Sequence, residues 1–189
     1  SADHTVDSFG DQADIELEQR TLSLSGAVTD SNGDPLDGAT VTLTTDAGQE
    51  LTDTSVAGGD YAIEEVPIGT HDVEVTLDGY ATATESVEFG EEDVTEDYEL
   101  EAFGSIEGVV RDADDGSGLN GAELTLVDAD GNEVDTVTSD SDGSYAFDSV
   151  APGEYTIDAE RGGTEDASAD VTVEPGATTE RDVEMTVTG

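Results

Sequence analysis

The sequence contains no cysteine, no tryptophan and no lysine, and its four strongly basic side chains are all arginines. Without cysteine, disulfides, thiolate metal sites and cysteine nucleophiles are excluded. No apolar run reaches the 18 residues typical of a transmembrane helix, so we expect no direct membrane insertion. We also recognise neither a secretory signal nor a basic transit segment in this form of the chain.

Positive charge is almost absent, while negative charge is abundant. The 49 aspartates and glutamates give a formal net charge of −45 over 189 residues. Such a surface repels phosphate backbones and anionic lipids, which argues against nucleic-acid and membrane-surface partners. On a compact surface the net charges lie about 14 Å apart. The Debye length is about 10 Å at 0.1 M salt, where repulsion over this distance is poorly screened, and about 3 Å at 1 M, where it is strongly screened. This charge density predicts an extreme halophile as the source.

An internal repeat of about 83 residues is the most informative feature of the chain. One such unit is large enough for a hydrophobic core of its own. We therefore predict an acidic N-terminal segment at 1–20, a first domain at 21–102 (unit 1) and a second at 103–189 (unit 2). The matching stretches are Gly26–Asp30 with Gly108–Asp112, Asp37–Leu43 with Asn120–Leu126, Tyr61–Ile63 with Tyr145–Phe147, and Pro67–Val73 with Ala151–Ile157.

Apolar residues alternate with polar ones at a period of two, which is typical of half-buried strands. Leu22, Leu24 and Val28 show this pattern in unit 1, and Val183, Met185 and Val187 show it in unit 2. Asn-Gly, Asp-Gly and Pro-Gly turn signals separate the runs, and no window carries a helical apolar stripe. About seven strands per unit predict an all-β chain of two tandem β-sandwiches, and the alternation itself argues against disorder.

Four motifs of unit 2 resemble the signature of carboxypeptidase regulatory-like domains, which are related to collagen-adhesin B-type domains. Unit 1 is similar but looser, because Gly58-Gly59-Asp60-Tyr61 replaces the acidic turn and His71 stands where a tyrosine is expected. The resemblance implies immunoglobulin-like or transthyretin-like sandwiches that serve as spacers, stalks or adhesion modules. The isopeptide crosslink of related domains requires lysine and cannot form here. The motifs are Gly108–Asp112, Gly121–Leu126, Asp140–Phe147 and Pro152–Ile157.

Two acidic turns of unit 2 resemble the first half of a calcium-binding loop. Asp128 with Asp130, and Asp140 with Asp142, place carboxylates at alternate positions before a glycine. Calcium takes six to eight oxygen ligands, and such a pattern supplies several of them. Neither stretch continues to the glutamate of an EF-hand, and Asp-Gly is also ordinary turn chemistry. The four aspartates are weak calcium candidates, and we predict no firm metal or cofactor site.

No catalytic constellation is present, and we predict that the chain is not an enzyme. Gly116–Gly121 matches Gly-x-Gly-x-x-Gly, but a dinucleotide site needs a helix directly after the loop, whereas a strand is predicted there. The only imidazoles are His4, which we expect to be solvated, and His71, which we expect at the border of a core.

The N-terminal segment contains an orphan strand at residues 14–18. Asp14-Ile15-Glu16-Leu17-Glu18 matches Asp97–Glu101 and Asp182–Thr186, the predicted last strands of the two units. The orphan strand either pairs within its own chain or belongs to a longer array, or it adds to a sheet edge of a neighbouring subunit. If the strand adds to a neighbouring subunit, Ile15 and Leu17 would be its apolar anchors. A flexible tail, above all over residues 1–12, is the third alternative.

These features together indicate a non-enzymatic structural protein of an extracellular, cell or virion surface. We expect a subunit of a filament or pilus, a surface layer or a virion spike, which associates with itself or with other surface proteins. The alternative is an adhesion or carbohydrate-binding spacer module of a larger secreted protein. The absence of tryptophan weighs against a carbohydrate site.

We predict that folding depends on salt. Circular dichroism is expected to show β structure in multimolar KCl or NaCl and substantial loss of it at about 50 mM, because charge repulsion is poorly screened there. Full retention of structure and melting temperature at low salt would count against a halophilic source.

Overall fold

The structure is a computed structural model that describes residues 21–188. The predicted orphan strand at 14–18, with Ile15 and Leu17, lies outside the described residues. Within them the chain is all-β and forms two units in tandem, each with two four-stranded sheets that enclose a core. The predicted fold class is confirmed.

Unit 1 contains eight strands. Strands β4, β1 and β7 form one sheet in that order, with β8 also paired to β1, and the other sheet has the order β3-β2-β5-β6. The strands are β1 (Thr21–Asp30), β2 (Thr40–Thr44), β3 (Glu50–Thr54), β4 (Asp60–Pro67), β5 (Gly69–Thr76), β6 (Ala83–Phe89), β7 (Val94–Thr95) and β8 (Tyr98–Leu100).

Unit 2 repeats this topology with sheets β12-β9-β15, joined by β16 on β9, and β11-β10-β13-β14. The strands are β9 (Gly104–Asp112), β10 (Glu123–Asp128), β11 (Glu133–Thr138), β12 (Ser144–Val150), β13 (Gly153–Glu160), β14 (Ala167–Val173), β15 (Thr178–Glu180) and β16 (Val183–Met185). The repeat seen in the sequence is therefore a repeat of the fold.

The last strand of each unit is split into two short pieces, which is why each unit has eight strands instead of about seven. In unit 1, β7 and β8 run parallel to successive parts of β1, with Glu96 and Asp97 between them. The Asp97 carboxylate accepts the N–H of Ala27 at 2.8 Å, and the Glu96 carbonyl accepts the Tyr61 hydroxyl at 2.8 Å. These bonds satisfy backbone groups that the split leaves without a ladder partner.

Unit 2 builds the same split from equivalent residues. The Asp182 carboxylate accepts the N–H of Val109 at 2.8 Å, and the Tyr145 hydroxyl donates to the carbonyl of Arg181. A glycine is required opposite each split, because a Cβ at Gly108 would lie 1.8 Å from the Arg181 carbonyl oxygen. At Gly26 the corresponding distance, to the Glu96 oxygen, is 1.7 Å.

Each unit encloses its own hydrophobic core, filled from the alternating strand positions. Tyr145 and Phe147 point to the same buried face, and their rings meet edge to face with centroids 5.9 Å apart. The largest fully buried side chains are Phe89, Phe147, Leu24, Leu43, Leu100, Ile106, Leu124, Leu126, Ile157 and Met185.

One apolar position departs from the predicted pattern. Val187 continues the alternation of Val183 and Met185, but its side chain is 39% exposed. The reason is that β16 ends at Met185, and Val187 forms a single bridge to Thr164 in the turn after β13. It therefore lies past the end of the core.

A buried serine ties the loops together in each unit, a role that the sequence did not indicate. Ser55 Oγ accepts the N–H of Ala39 at 2.9 Å and donates to the Leu36 carbonyl at 2.7 Å. Ser139 makes the same two bonds in unit 2, to Ala122 and Leu119. Each hydroxyl replaces a ladder hydrogen bond at the start of β2 or β10, which keeps these buried groups paired.

The chain enters each unit at one end of the sandwich and leaves it at the other. In unit 1 the first residue of β1, Thr21, pairs with Pro67, whereas β8 lies beside the last residues of β1. We call these the entry end and the exit end. Because β1 has ten residues, the two ends are separated by about 30 Å.

We predict that Phe147→Ala destabilises unit 2 by about 3–5 kcal/mol, because Phe147 is fully buried and its removal leaves a cavity. Val134→Ala is the matched control, since Val134 is 47% exposed and should cost at most about 0.5 kcal/mol. Denaturant unfolding in high salt measures both. A loss below about 1 kcal/mol for Phe147→Ala would mean that this residue does not support the core.

A second prediction concerns the split of the last strand. Gly26→Ala should destabilise unit 1 by about 3 kcal/mol or more, because the new methyl group would displace β7 and β8 from β1. Gly90→Ala is the control, since nothing lies within 4 Å of a Cβ built there. Equal unfolding midpoints for the two variants would show that the close approach at Gly26 is unimportant.

Candidate functional site

The structure places the calcium candidates in two turns at opposite ends of unit 2. Asp128 ends β10 and Asp130 lies in the turn to β11 at the entry end, whereas Asp140 and Asp142 lie between β11 and β12 at the exit end. The six residues of β11 separate the turns by about 20 Å. The four aspartates therefore do not converge on one ion.

Each turn uses a carboxylate to hold its own backbone. Asp128 Oδ1 accepts the N–H groups of Asp130 at 3.0 Å and of Asn132 at 2.8 Å, and the Asn132 side chain donates to Oδ2 at 3.0 Å. Asp142 accepts the hydroxyl of Ser144 at 2.7 Å. The hydrogen bonds from the side chains of Asn132 and Ser144 lower the pKa of Asp128 and of Asp142. This is turn chemistry, and calcium binding stays an untested prediction.

Over residues 21–188, no group of three or more histidine, aspartate or glutamate side chains is arranged to hold a metal ion. Three surface recesses in this part of the chain are lined mainly by residues of polar strand faces. One of them contains Arg111, whose Nε lies 3.3 Å from the Asp182 carboxylate, with both side chains about half exposed. We find no side chain in this recess arranged as a nucleophile with its base.

His71 is a core-border residue, as expected. Its side chain is 3% exposed and stacks on Phe89 with ring centroids 5.6 Å apart. Its Nε2 lies 2.9 Å from the Pro67 carbonyl oxygen, and Tyr155 of unit 2 donates to the Ala151 carbonyl at 2.8 Å in the same way. The histidine thus takes the structural place of the family-typical tyrosine.

The tyrosines at the strand splits are also structural. Burial raises the pKa of Tyr145 to about 12, and the nearby Asp182 carboxylate adds to the rise. Burial likewise raises the pKa of Tyr61. Both hydroxyls therefore stay protonated at neutral pH and remain hydrogen-bond donors to the last strand.

The connection between the units is short and hydrogen-bonded. Between β8 and β9 lie only Glu101, Ala102 and Phe103. Unit 1 holds this link through the N–H of Ala81, which donates to the Glu101 carbonyl at 2.8 Å, and through its Gly79 carbonyl, which accepts the Phe103 N–H at 2.9 Å. From unit 2 the Gly176 N–H donates to the Ala102 carbonyl at 3.1 Å.

The strand splits were missed in the sequence, although a signal for them was present. The aspartate that opens each last-strand motif, Asp97 and Asp182, recurs in the repeat and proves to be the group that accepts a backbone N–H across the split. Its counterpart in the N-terminal segment, Asp14, lies outside the described residues.

Among residues 21–188 we find no helix with the length and hydrophobicity that a membrane span requires.

Comparison with curated proteins finds relatives among much longer proteins. The chain is 26% identical over 172 residues to serine-aspartate repeat-containing protein F of Staphylococcus epidermidis, with 82% of this chain and 10% of that protein covered. It is 27% identical over 175 residues to Halomucin of Haloquadratum walsbyi, with 86% and 2% covered. The chain thus spans a tenth or less of these relatives.

Two solved structures have the same fold at low sequence identity. GBS52, the minor pilin of Streptococcus agalactiae, matches with a TM-score of 0.53 at 14% identity, covering 89% of this chain and 97% of that one. A streptococcal ancillary pilin matches with a TM-score of 0.51 at 18% identity, covering 88% and 63%. At these identities the likeness establishes the fold alone.

The match to a protein family covers most of the chain and coincides with the two units. The carboxypeptidase regulatory-like domain matches twice, over residues 23–101 and 105–186, in agreement with the motifs of both units. The chain therefore belongs to the carboxypeptidase regulatory-like domain family, of which it contains two tandem copies.

Proposed function

We propose that the chain is a non-enzymatic structural spacer on the exterior surface of an extreme halophile, and that it associates with itself. The observation that carries the proposal is the position of the two ends at which the chain enters and leaves each unit. Each unit is entered at one end and left at the other, and a three-residue hydrogen-bonded link joins the units. Units connected in this way extend a chain in series.

The pairing of the first and last strands suits such a spacer. In each unit the last strand runs parallel to the first, through β7 and β8 on β1 and through β15 and β16 on β9. Tension applied at the two ends of a unit pulls these strands in opposite directions along their length. The hydrogen bonds between them are then loaded together in shear, instead of being opened one at a time.

The comparisons support an exterior structural role without naming a partner. Two solved structures with this fold are named as pilins, and one long curated relative is named for its serine-aspartate repeats. The likeness to Halomucin and the charge of −45 favour the halophilic source. The relatives named above come from cellular organisms, so we do not extend the proposal to a virion spike.

A carbohydrate-binding module is less well supported. Such sites present exposed aromatic rings, but among residues 21–188 every tyrosine and phenylalanine is buried or partly buried. The outer faces of the strands carry mainly aspartate, glutamate, serine and threonine. A spacer within a larger surface protein, without a sugar site of its own, remains compatible with this surface.

Self-association by strand addition is one mode that we propose. In both units the position beside the first strand is already occupied, by β7 and β8 in unit 1 and by β15 and β16 in unit 2. The segment 14–18 of a neighbouring copy would therefore add to an outer edge strand such as β3 or β14. Ile15 and Leu17 would provide the apolar anchors on one face of the added strand.

If assembly proceeds by strand addition, we predict that deletion of residues 1–20 leaves both units folded, because each retains its own last strand, but abolishes assembly. Full-length and truncated protein should be compared in multimolar salt by light scattering and negative-stain microscopy, with circular dichroism as the folding control. Polymerisation of the truncated form to the same extent would refute strand addition. A full-length protein that stays monomeric at high concentration would refute self-association as a whole.

A further inference from the structure

The exit end of unit 2 repeats the backbone geometry that unit 1 has at the internal junction. At the exit end of unit 2, the N–H of Glu165 donates to the Thr186 carbonyl at 2.8 Å, and the N–H of Thr188 donates to the Gly163 carbonyl at 2.9 Å. These bonds are equivalent to those that unit 1 makes with the link between the units. The exit end of unit 2 therefore has the backbone arrangement that unit 1 uses to receive another unit.

The side chain at the centre of this arrangement differs between the two exit ends. Ala102 forms a bridge to Tyr80 and is partly buried at the internal junction. Val187 forms the equivalent bridge to Thr164 and is 39% exposed. The exit end of unit 2 thus presents a larger and more exposed apolar side chain than unit 1 has at the equivalent position.

At the entry end, unit 1 has a more exposed apolar side chain than unit 2 has at the equivalent position. The turn between β12 and β13 of unit 2 contains Pro152, which is partly buried. The corresponding turn of unit 1, between β4 and β5, contains Ile68, which is 55% exposed. Ile68 directly follows Pro67, the partner of Thr21 at the start of β1, so it lies at the entry end.

One basic side chain at the exit end of unit 2 is able to pair with carboxylates at the entry end of unit 1. Arg161 lies at the exit end of unit 2, where unit 1 has Leu77, and its Nε–H donates to the Asn120 carbonyl at 2.8 Å, which orients the guanidinium. The turn between β6 and β7 at the entry end of unit 1 carries Glu91 and Glu92, where unit 2 has Pro175 and Gly176. An arginine on one end thus matches carboxylates on the other.

We propose that the exit end of unit 2 docks on the entry end of unit 1 of a second copy, with Val187 against Ile68 and Arg161 facing Glu91 and Glu92. The proposal deepens the proposed self-association and rests on it. The two surfaces differ, so the contact is heterologous and repeats into an open head-to-tail filament unless the rotation closes a ring. Four carboxylates at the same exit end, those of Asp140, Asp142, Glu165 and Asp166, repel the acidic turn, so the contact forms in high salt, where this repulsion is screened.

Cysteine crosslinking tests the contact directly, because the chain has no cysteine of its own. One preparation carries Ile68→Cys and another carries Val187→Cys, and each is oxidised in multimolar KCl alone or mixed with the other. A head-to-tail contact gives disulfide-linked dimers at least tenfold more abundantly in the mixture than in either variant alone. Val56→Cys mixed with Val134→Cys is the control, since both residues are exposed but neither lies on the proposed surfaces. Equal yields in the mixture, the single variants and the control would overturn the proposal.

Charge reversal provides a second readout that does not depend on cysteine. Arg161→Glu should weaken association at least tenfold by sedimentation velocity, and adding Glu92→Arg to the same chain should restore most of it. If the full-length protein assembles, but Arg161→Glu leaves assembly unaffected and the mixed cysteine variants give no more dimer than the control, the docking surface is wrong while self-association stands. If the unmodified protein is monomeric under these conditions, both the docking surface and the proposed self-association are wrong.

Discussion

The parallel pairing of the last strand with the first is the interaction on which each unit depends. Strand β1 has β4 on one side and β7 with β8 on the other, so it links the part of the chain that begins the unit to the part that ends it. A glycine, an aspartate and a tyrosine allow this pairing to continue across the split. The tyrosine also packs in the core, as Tyr145 does against Phe147, so the split and the core support each other.

Apolar packing and strand pairing must supply the stability of each unit, because its net charge opposes folding. In the described part of the chain the one ion pair joins Arg111 to Asp182, and both side chains are about half exposed. A pair of this kind contributes at most about 1 kcal/mol, against the mutual repulsion of 45 net negative charges. The two buried cores and the closely paired first and last strands have to offset that repulsion, with salt reducing it.

Periodicity was sufficient to predict the sandwiches, since a residue such as Phe147 lies at an alternating position whose neighbours are polar. It could not predict the split of the last strand, because Asp97 and Tyr61 are 36 residues apart in sequence and their roles depend on a tertiary contact with β1. The exposure of Val187 was missed for a related reason, as alternation continues past the point where the sheet ends. Each acidic turn matches a calcium-loop pattern in its local sequence. Whether the two turns lie close enough to share an ion depends on the path of β11, which the local sequence does not give.

The same strand pairing links the fold to the proposed function. Because the first and last strands are parallel neighbours, the two termini of a unit must emerge at opposite ends, and a short link then places the next unit in series. An antiparallel last strand would bring both termini to one end and could not extend the chain. Ile68 lies at the entry end of unit 1 and Val187 at the exit end of unit 2 for the same reason, one beside the start of a first strand and the other just past the end of a last strand. The topology that stabilises each sandwich therefore also places the two surfaces through which we propose that copies dock.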